Sequence, residues 1–328
     1  MKRMLVAALA VVCLSFGAYA GDTLIIYTSM KESLIGKIRD GFVKQHPEVK
    51  MDYQSAGAGK LMAKIAAERE SGKILADVIW TSEVPDFFKM REDGILHQYK
   101  TAVFDQILNP LGDDYDGHFT AARMGTLGIA YNTRYIKEPP ALWTDLYKKE
   151  YNGAYGIANP ALSGTSYMSV ALLSKQFGWE YFEKLAENKA RIGKGSGQVV
   201  DDTSSGDLVA SLAVDYITND KISKGATIAL VYPPEMLVVP SPVAIFKDST
   251  NKEAAQKFVD YLLGQEAQTI LADEGTLPVR EDVQVPAEFK MPTAKDALSR
   301  AIKIDYQEIL TNKEAVIKQF TNILQGRK

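Results

Sequence analysis

Three places in this chain pass from a short apolar run into an amphipathic helix through glycine and small hydroxyl residues. They are Tyr27-Thr28-Ser29, Ser55-Ala56-Gly57-Ala58-Gly59 and Ser163-Gly164-Thr165-Ser166. The apolar runs are strand-length, and the segments after them repeat apolar residues every three or four positions. That alternation constrains the chain to an α/β sheet with helices packed on it. Each junction also leaves the first N–H groups of a helix without partners, at the positive end of its dipole. Three such ends aimed at one cleft make an anion site without metal or cofactor.

The same reading places strands at 24–27, 49–53, 77–80, 127–131, 155–158, 209–214, 227–232 and 242–246. Helical faces are expected from Leu34, Ile38 and Phe42, from Leu61 and Ile65 after Lys60, and over 143–151. The 100–122 region, with Pro110, Gly112 and the cluster Asp113, Asp114 and Asp116, reads as a surface loop. The last third turns helical, from Ala254 to Leu262 and again from Leu298 to Leu324. No repeat, low-complexity stretch or long linker divides the chain.

At 328 residues the length suits about two domains. A formal charge of −3 and a pI near 5.8 argue against nonspecific nucleic-acid binding. Residues 1–20 read as a cleaved signal peptide: Lys2 and Arg3, an apolar stretch to Gly17, then Ala18-Tyr19-Ala20 before Gly21. The only cysteine, Cys13, lies within it. A cut after Ala20 would leave a mature chain without disulfides, thiol nucleophiles or cysteine metal sites.

Catalytic signatures are thin. Gly57-Ala58-Gly59 lacks the third glycine of a dinucleotide fingerprint, where Met62 stands, and Lys60 is followed by Leu61 where a P-loop has Ser or Thr. His46, His97 and His118 have no metal-ligand spacing, and no Gly-x-Ser-x-Gly elbow occurs. The Asp113 cluster lacks calcium-loop spacing. The candidates for a cleft are therefore binding groups. Thr28 and Ser29, the Ser55, Gly57, Ala58 and Gly59 loop, and Ser163, Gly164, Thr165 and Ser166 are the hydroxyl-rich helix starts. Thr81 and Ser82 end a buried strand, where open α/β sheets place ligands. Arg123 precedes the strand at 127–131 and can hold an oxyanion through two parallel hydrogen bonds. The 201–207 stretch reads as a loop and helix cap, and Asp215-Tyr216 closes an apolar strand.

In order and spacing, Leu24 to Ser29, Ala76 to Trp80, Leu127 to Thr133, Ser163-Gly164-Thr165, Pro240 to Ile245 and Leu277-Pro278-Val279-Arg280 resemble the periplasmic solute-binding proteins of ABC importers. The nearest branch is the ferric-ion-binding-like one, which includes binders of hexose phosphates and of aminoethylphosphonate. The resemblance spans essentially the whole mature chain. It implies a two-lobed, type II α/β fold, each lobe a mainly parallel sheet flanked by helices, with hinge strands between lobes. Lobe one would be 21–123 plus 237–290, and lobe two 124–236 plus 291–328. It further implies a periplasmic, non-enzymatic protein without cofactor, whose partners are a small anionic ligand and an inner-membrane permease. Ferric binders of this branch carry two adjacent tyrosines near the hinge; the matching stretch Val214-Asp215-Tyr216-Ile217 keeps one. That weakens bare ferric iron as cargo and favours a phosphate ester or phosphonate. Asp215, with Asp201 or Asp202, would then face the ligand's other end. Iron or an iron chelate held by Tyr216 is the alternative, and a secreted phosphoester hydrolase, which needs a base beside a nucleophile, the third.

Overall fold

The computed structural model describes residues 23–110 and 116–326. The leader over 1–20 with its cut after Ala20, Cys13, Gly112, Asp113 and Asp114 lie outside the described residues.

Strand β1 (Leu24–Thr28) is followed by α1 (Glu32–Gln45), which buries Leu34, Ile35, Ile38 and Phe42 along one face. β2 (Met51–Ser55) alternates half-buried and exposed residues, as an edge strand does. α2 (Ala58–Glu70) buries Leu61 and Ile65. β3 (Val78–Trp80), α3 (Val84–Glu92) and β4 (Leu96–His97) complete this flank. β5 (Thr120–Asn132) is buried along its whole length. Two 3-10 turns, Trp143–Tyr147 and Lys149–Tyr151, lead to β6 (Tyr155–Ala158), α4 (Gly164–Phe177) and α5 (Glu180–Glu187). Then come β7 (Arg191–Gly193), α6 (Ser196–Ser205), β8 (Ala210–Val214), α7 (Asp215–Ser223) and β9 (Ile228–Val231). β10 (Leu237–Phe246) is again buried throughout. Helices α8 (Lys252–Leu263), α9 (Gln265–Asp273), α10 (Ala294–Arg300), α11 (Tyr306–Thr311) and α12 (Lys313–Leu324) follow.

The described strands form one sheet in the order β2-β1-β3-β10-β5-β8-β6-β7, with β4 on β10 and β9 on β5. Pairing is parallel on the two outer flanks, among β1, β2 and β3 and among β6, β7 and β8. Each parallel step needs a crossover, and the helices supply it. Pairing is antiparallel in the centre, where β10 meets β3, β4 and β5, and β5 meets β8 and β9. β5 and β10 belong to both flanks, so the chain crosses between them on two long strands. The α/β class and the helix-flanked sheet agree with the sequence reading.

Several local expectations change. The strand expected at 127–131 is the middle of β5, and Arg123 lies inside it, not before it. The strand expected at 242–246 begins five residues earlier, at Leu237. Pro240 and Pro242 lack the N–H of a ladder residue, and the pairing with β5 shifts register between them, as a bulge allows. The expected helix over 143–151 is two short turns. The 201–207 stretch is not a loop: Asp201 to Ser205 complete α6, and Gly206 ends it in the left-handed conformation. Asp215-Tyr216 does not close a strand but opens α7.

The C-terminal helices touch both flanks. α11 packs on α3 through Tyr306, stacked on Phe88 at 5.5 Å, and α12 packs on α4 and α5 through Phe320, edge-on to Phe182 at 5.2 Å. Among the described residues no helix is long and apolar enough to cross a membrane.

Candidate functional site

A cavity of about 300 Å³ lies between the two flanks. It is reached by the N-terminal ends of five helices: Lys31 before α1, Gly57 and Ala58 at α2, Ser163 to Thr165 at α4, Gly195 to Gln198 at α6, and Val214, Tyr216 and Ile217 at α7. Four of these caps, Lys31, Gly57, Gly195 and Val214, supply no side-chain hydrogen bond to their helix. Their free N–H groups are left for whatever enters. No Asp or Glu lines the cavity among the described residues.

The sequence-predicted residues divide into two sets. Ser29, Ser55, Gly57, Ala58, Ser82, Arg123, Ser163, Gly164, Thr165 and Tyr216 line the cavity. Thr28, Gly59, Thr81, Ser166 and Asp215 stand behind the lining. Thr28 Oγ1 accepts from Met30 N–H at 3.1 Å, and Ser166 Oγ donates to the Ala158 carbonyl. Thr81 is fully buried at the end of β3. Even within the lining some hydroxyls are committed. Ser55 Oγ donates to the Met30 carbonyl at 2.6 Å, and Ser29 Oγ accepts from Ser82 N–H at 3.2 Å.

Ser163, Thr165 and Ser196 form a triangle of hydroxyls, with Oγ separations of 2.8 Å (Ser163 to Ser196), 3.0 Å (Thr165 to Ser196) and 3.1 Å (Ser163 to Thr165). Such a triangle can rotate its protons toward an incoming oxyanion. Ser196 escaped the sequence reading. Its signal, Gly195-Ser196-Gly197 at a helix start, resembles the junctions that were read. But the preceding β7 is the mostly half-exposed Arg191–Gly193, without an apolar run to announce it.

Arg123 is buried under Tyr216, with its guanidinium carbon 4.9 Å from the ring centroid. Its Nη1 donates to Asp215 Oδ1 at 3.2 Å and to Thr276 Oγ1, while its Nε has no hydrogen-bond partner among the described residues. Asp215 is the hub behind it. It accepts from Tyr216 N–H at 2.7 Å, from Thr126 N–H at 2.8 Å and from Thr276 Oγ1 at 2.7 Å. A fully buried carboxylate so occupied has no capacity left for a ligand, so it does not face the cavity as expected. Burial pushes the Tyr216 phenol above its usual range, with Arg123 and the Lys31 N–H opposing. The phenol therefore stays protonated at neutral pH, and its oxygen accepts from the Lys31 N–H at 3.1 Å.

Lys31 was also missed. Its ammonium stands against Gly197, at the first turn of α6. A cation at a helix N-terminus is the unfavourable arrangement, and an anion between the two relieves it. Asp201, the other expected acid, lines a smaller cavity beside Lys31 and is paired with Lys221 at 2.6 Å. Asp202 lies on α6 away from both cavities. Among the described residues no group of three or more His, Cys, Asp or Glu is placed to hold a metal ion.

The sequence profile of the bacterial extracellular solute-binding proteins matches residues 73–308. A 195-residue stretch is 29% identical to the phosphoglycerate transport regulatory protein PgtC of Salmonella typhimurium, covering 58% of this chain and 48% of that one. The match thus spans about half of PgtC. The fold resembles the periplasmic binding protein AfuA from Actinobacillus pleuropneumoniae with fructose-6-phosphate bound, with a TM-score of 0.77 at 23% identity over 92% of this chain and 98% of that one. It also resembles iron-bound HitA from Pseudomonas aeruginosa, with a TM-score of 0.76 at 22% identity over 92% and 99% of the two chains.

Proposed function

The chain belongs to the bacterial extracellular solute-binding protein family, and from that membership we propose that it captures a small phosphorylated or phosphonate solute in the cavity and delivers it to an ABC permease in the inner membrane. As a periplasmic solute-binding protein it binds and hands over cargo; we assign it no reaction. The lobes are taken as 21–123 with 237–290 and 124–236 with 291–328, α11 reaching back onto α3. The leader over 1–20 would deliver the chain to the periplasm.

One observation carries the anion reading: five helix N-termini and two cations, Lys31 and Arg123, meet a cavity that no carboxylate lines among the described residues. Aligned N–H donors hold a phosphate dianion strongly where water is excluded. The same feature favours a phosphate ester over an aminoalkylphosphonate. An ammonium group entering here finds no anion to pair with, because Asp215 is spent on Arg123, Thr126 and Thr276. It also disfavours ferric iron. A lone protonated phenol, with no carboxylate beside it in the lining among the described residues, is a poor site for a hard trivalent cation.

Thermal melting with a panel of solutes tests this. A ligand at a hundred times its Kd stabilises the folded state by about 2.7 kcal/mol, several degrees for a chain of this size. Fructose 6-phosphate or 3-phosphoglycerate is expected to raise Tm, with 2-aminoethylphosphonate weaker and ferric citrate inert. A rise with ferric citrate alone, together with a tyrosinate-to-iron colour, would replace this reading with the iron one.

A further inference from the structure

The two flanks meet in backbone contacts beside the cavity. Gly57 and Gly59 open α2 on one flank, and the Ala161 and Leu162 carbonyls precede α4 on the other. A Cβ on Gly57 would fall well inside 3.0 Å of the Leu162 oxygen, and a Cβ on Gly59 equally close to the Ala161 oxygen. On the facing side, a Cβ on Gly164 would stand 2.7 Å from Glu83 Cβ and 3.2 Å from Ala58 Cβ.

Backbone conformation does not account for these glycines. Gly57 has φ −59° and ψ 145°, which any residue adopts, and Gly59 is not among the positive-φ residues. Only the missing side chain does. Nor can the opposing carbonyls give way easily. Their turn is braced by Leu162 N–H and Ser163 N–H, both donating to the Asn159 carbonyl at 3.0 Å, and by Ala161 N–H on Asn159 Oδ1 at 2.9 Å.

We propose that Gly57 and Gly59 are the stop on which the cleft closes, and so set the size limit of the cargo. With the stop seated, the chamber is about 300 Å³, the lower end of the ~300–1,000 Å³ range of small-molecule sites. A monosaccharide phosphate or a phosphorylated three-carbon acid closes inside it. A nucleotide or disaccharide phosphate holds the glycines off the carbonyls. The proposal rests on the cavity being the cargo site, but Gly59 lies outside the lining. Its substitution therefore reports on closure and not on ligand contact.

Gly59→Ala and Gly59→Val test it against the parent protein. X-ray scattering of the ligand-free chains is expected to show a radius of gyration that grows from glycine to alanine to valine, while circular dichroism stays unchanged. Titration with fructose 6-phosphate and 3-phosphoglycerate is expected to weaken in the same order. An overpacked contact present only in the closed state lowers affinity about tenfold. Scattering curves and affinities that superimpose on the parent's overturn the stop while leaving the cargo reading intact. If neither phosphate binds the parent, the cargo reading fails, and the scattering comparison alone decides the stop. Should the valine variant not fold, the alanine variant carries the comparison.

Discussion

Asp215→Ala is expected to destabilise the fold by about 3–5 kcal/mol, the cost of leaving a buried charge without its partner. Its carboxylate lies behind the cavity and gathers hydrogen bonds from Arg123, Thr126, Tyr216 and Thr276, drawn from β5, α7 and the segment after α9. Alanine strands the Arg123 guanidinium, which is fully buried and already has one unpartnered nitrogen. Urea unfolding measures the loss. A double-mutant cycle with Arg123→Ala is expected to show strong coupling, the double variant being less damaged than the sum of the singles. Asp215→Ala within about 1 kcal/mol of the parent, well below the cost of an orphaned charge, would mean that the ion pair does not hold β5 to α7. The same variants are expected to bind cargo poorly, since Arg123 reaches the cavity from beneath Tyr216.

Lys313→Met is the second large effect. Lys313 begins α12, which packs on α4 and α5, yet its ammonium pairs with Glu83 and with Asp86 at 2.8 Å, at the start of α3. It also lies 5.6 Å from the Tyr167 ring centroid on α4. It thus pins the C-terminal helix to the opposite flank. Above about pH 8, where Glu83 as well as Asp86 carries charge, methionine leaves both nearly fully buried with no cation, again a loss of about 3–5 kcal/mol. The loss is expected to be smaller at pH 5, where Glu83 keeps its proton, than at pH 8.

The parent protein carries a related signature. Burial, then Asp86, push the Glu83 carboxyl up to about 8, against the pull of Lys313. The folded chain therefore keeps a proton that the unfolded chain releases above its ordinary carboxylate pKa. This group's contribution is fully present below about pH 4.5 and is lost as pH rises through about 8, with a slope of at most about 1.4 kcal/mol per pH unit. Glu83→Gln removes that slope. Urea midpoints measured from pH 5 to 8.5 are expected to fall for the parent and to stay flatter for the variant. Parallel pH profiles would show that Glu83 is already ionised in the fold.

The strand-helix alternation was legible because it is local: each apolar run and each helical face lies within a window of a dozen residues. The long strands were not. Arg123, Gly125 and Gly128 interrupt the apolar pattern of β5, and Pro240 and Pro242 argue against a central strand until a bulge accommodates them. Site residues followed the same division. Ser163 to Thr165 announced themselves as small residues behind an apolar strand. Ser196 had no such strand, and Lys31 looked like any surface lysine. Asp215 reads from sequence as a cleft group, and in the structure it stands behind the lining, paired with Arg123. Its partner Arg123 lies 92 residues earlier, and nothing local pairs them.

Analysis of cargo released by acid from freshly purified protein tests the anion cleft most directly. Mass spectrometry with a phosphorus assay is expected to find one small phosphorus-containing organic anion, equimolar with the chain. Protein carrying iron without phosphorus, or a cationic or uncharged solute, would contradict it.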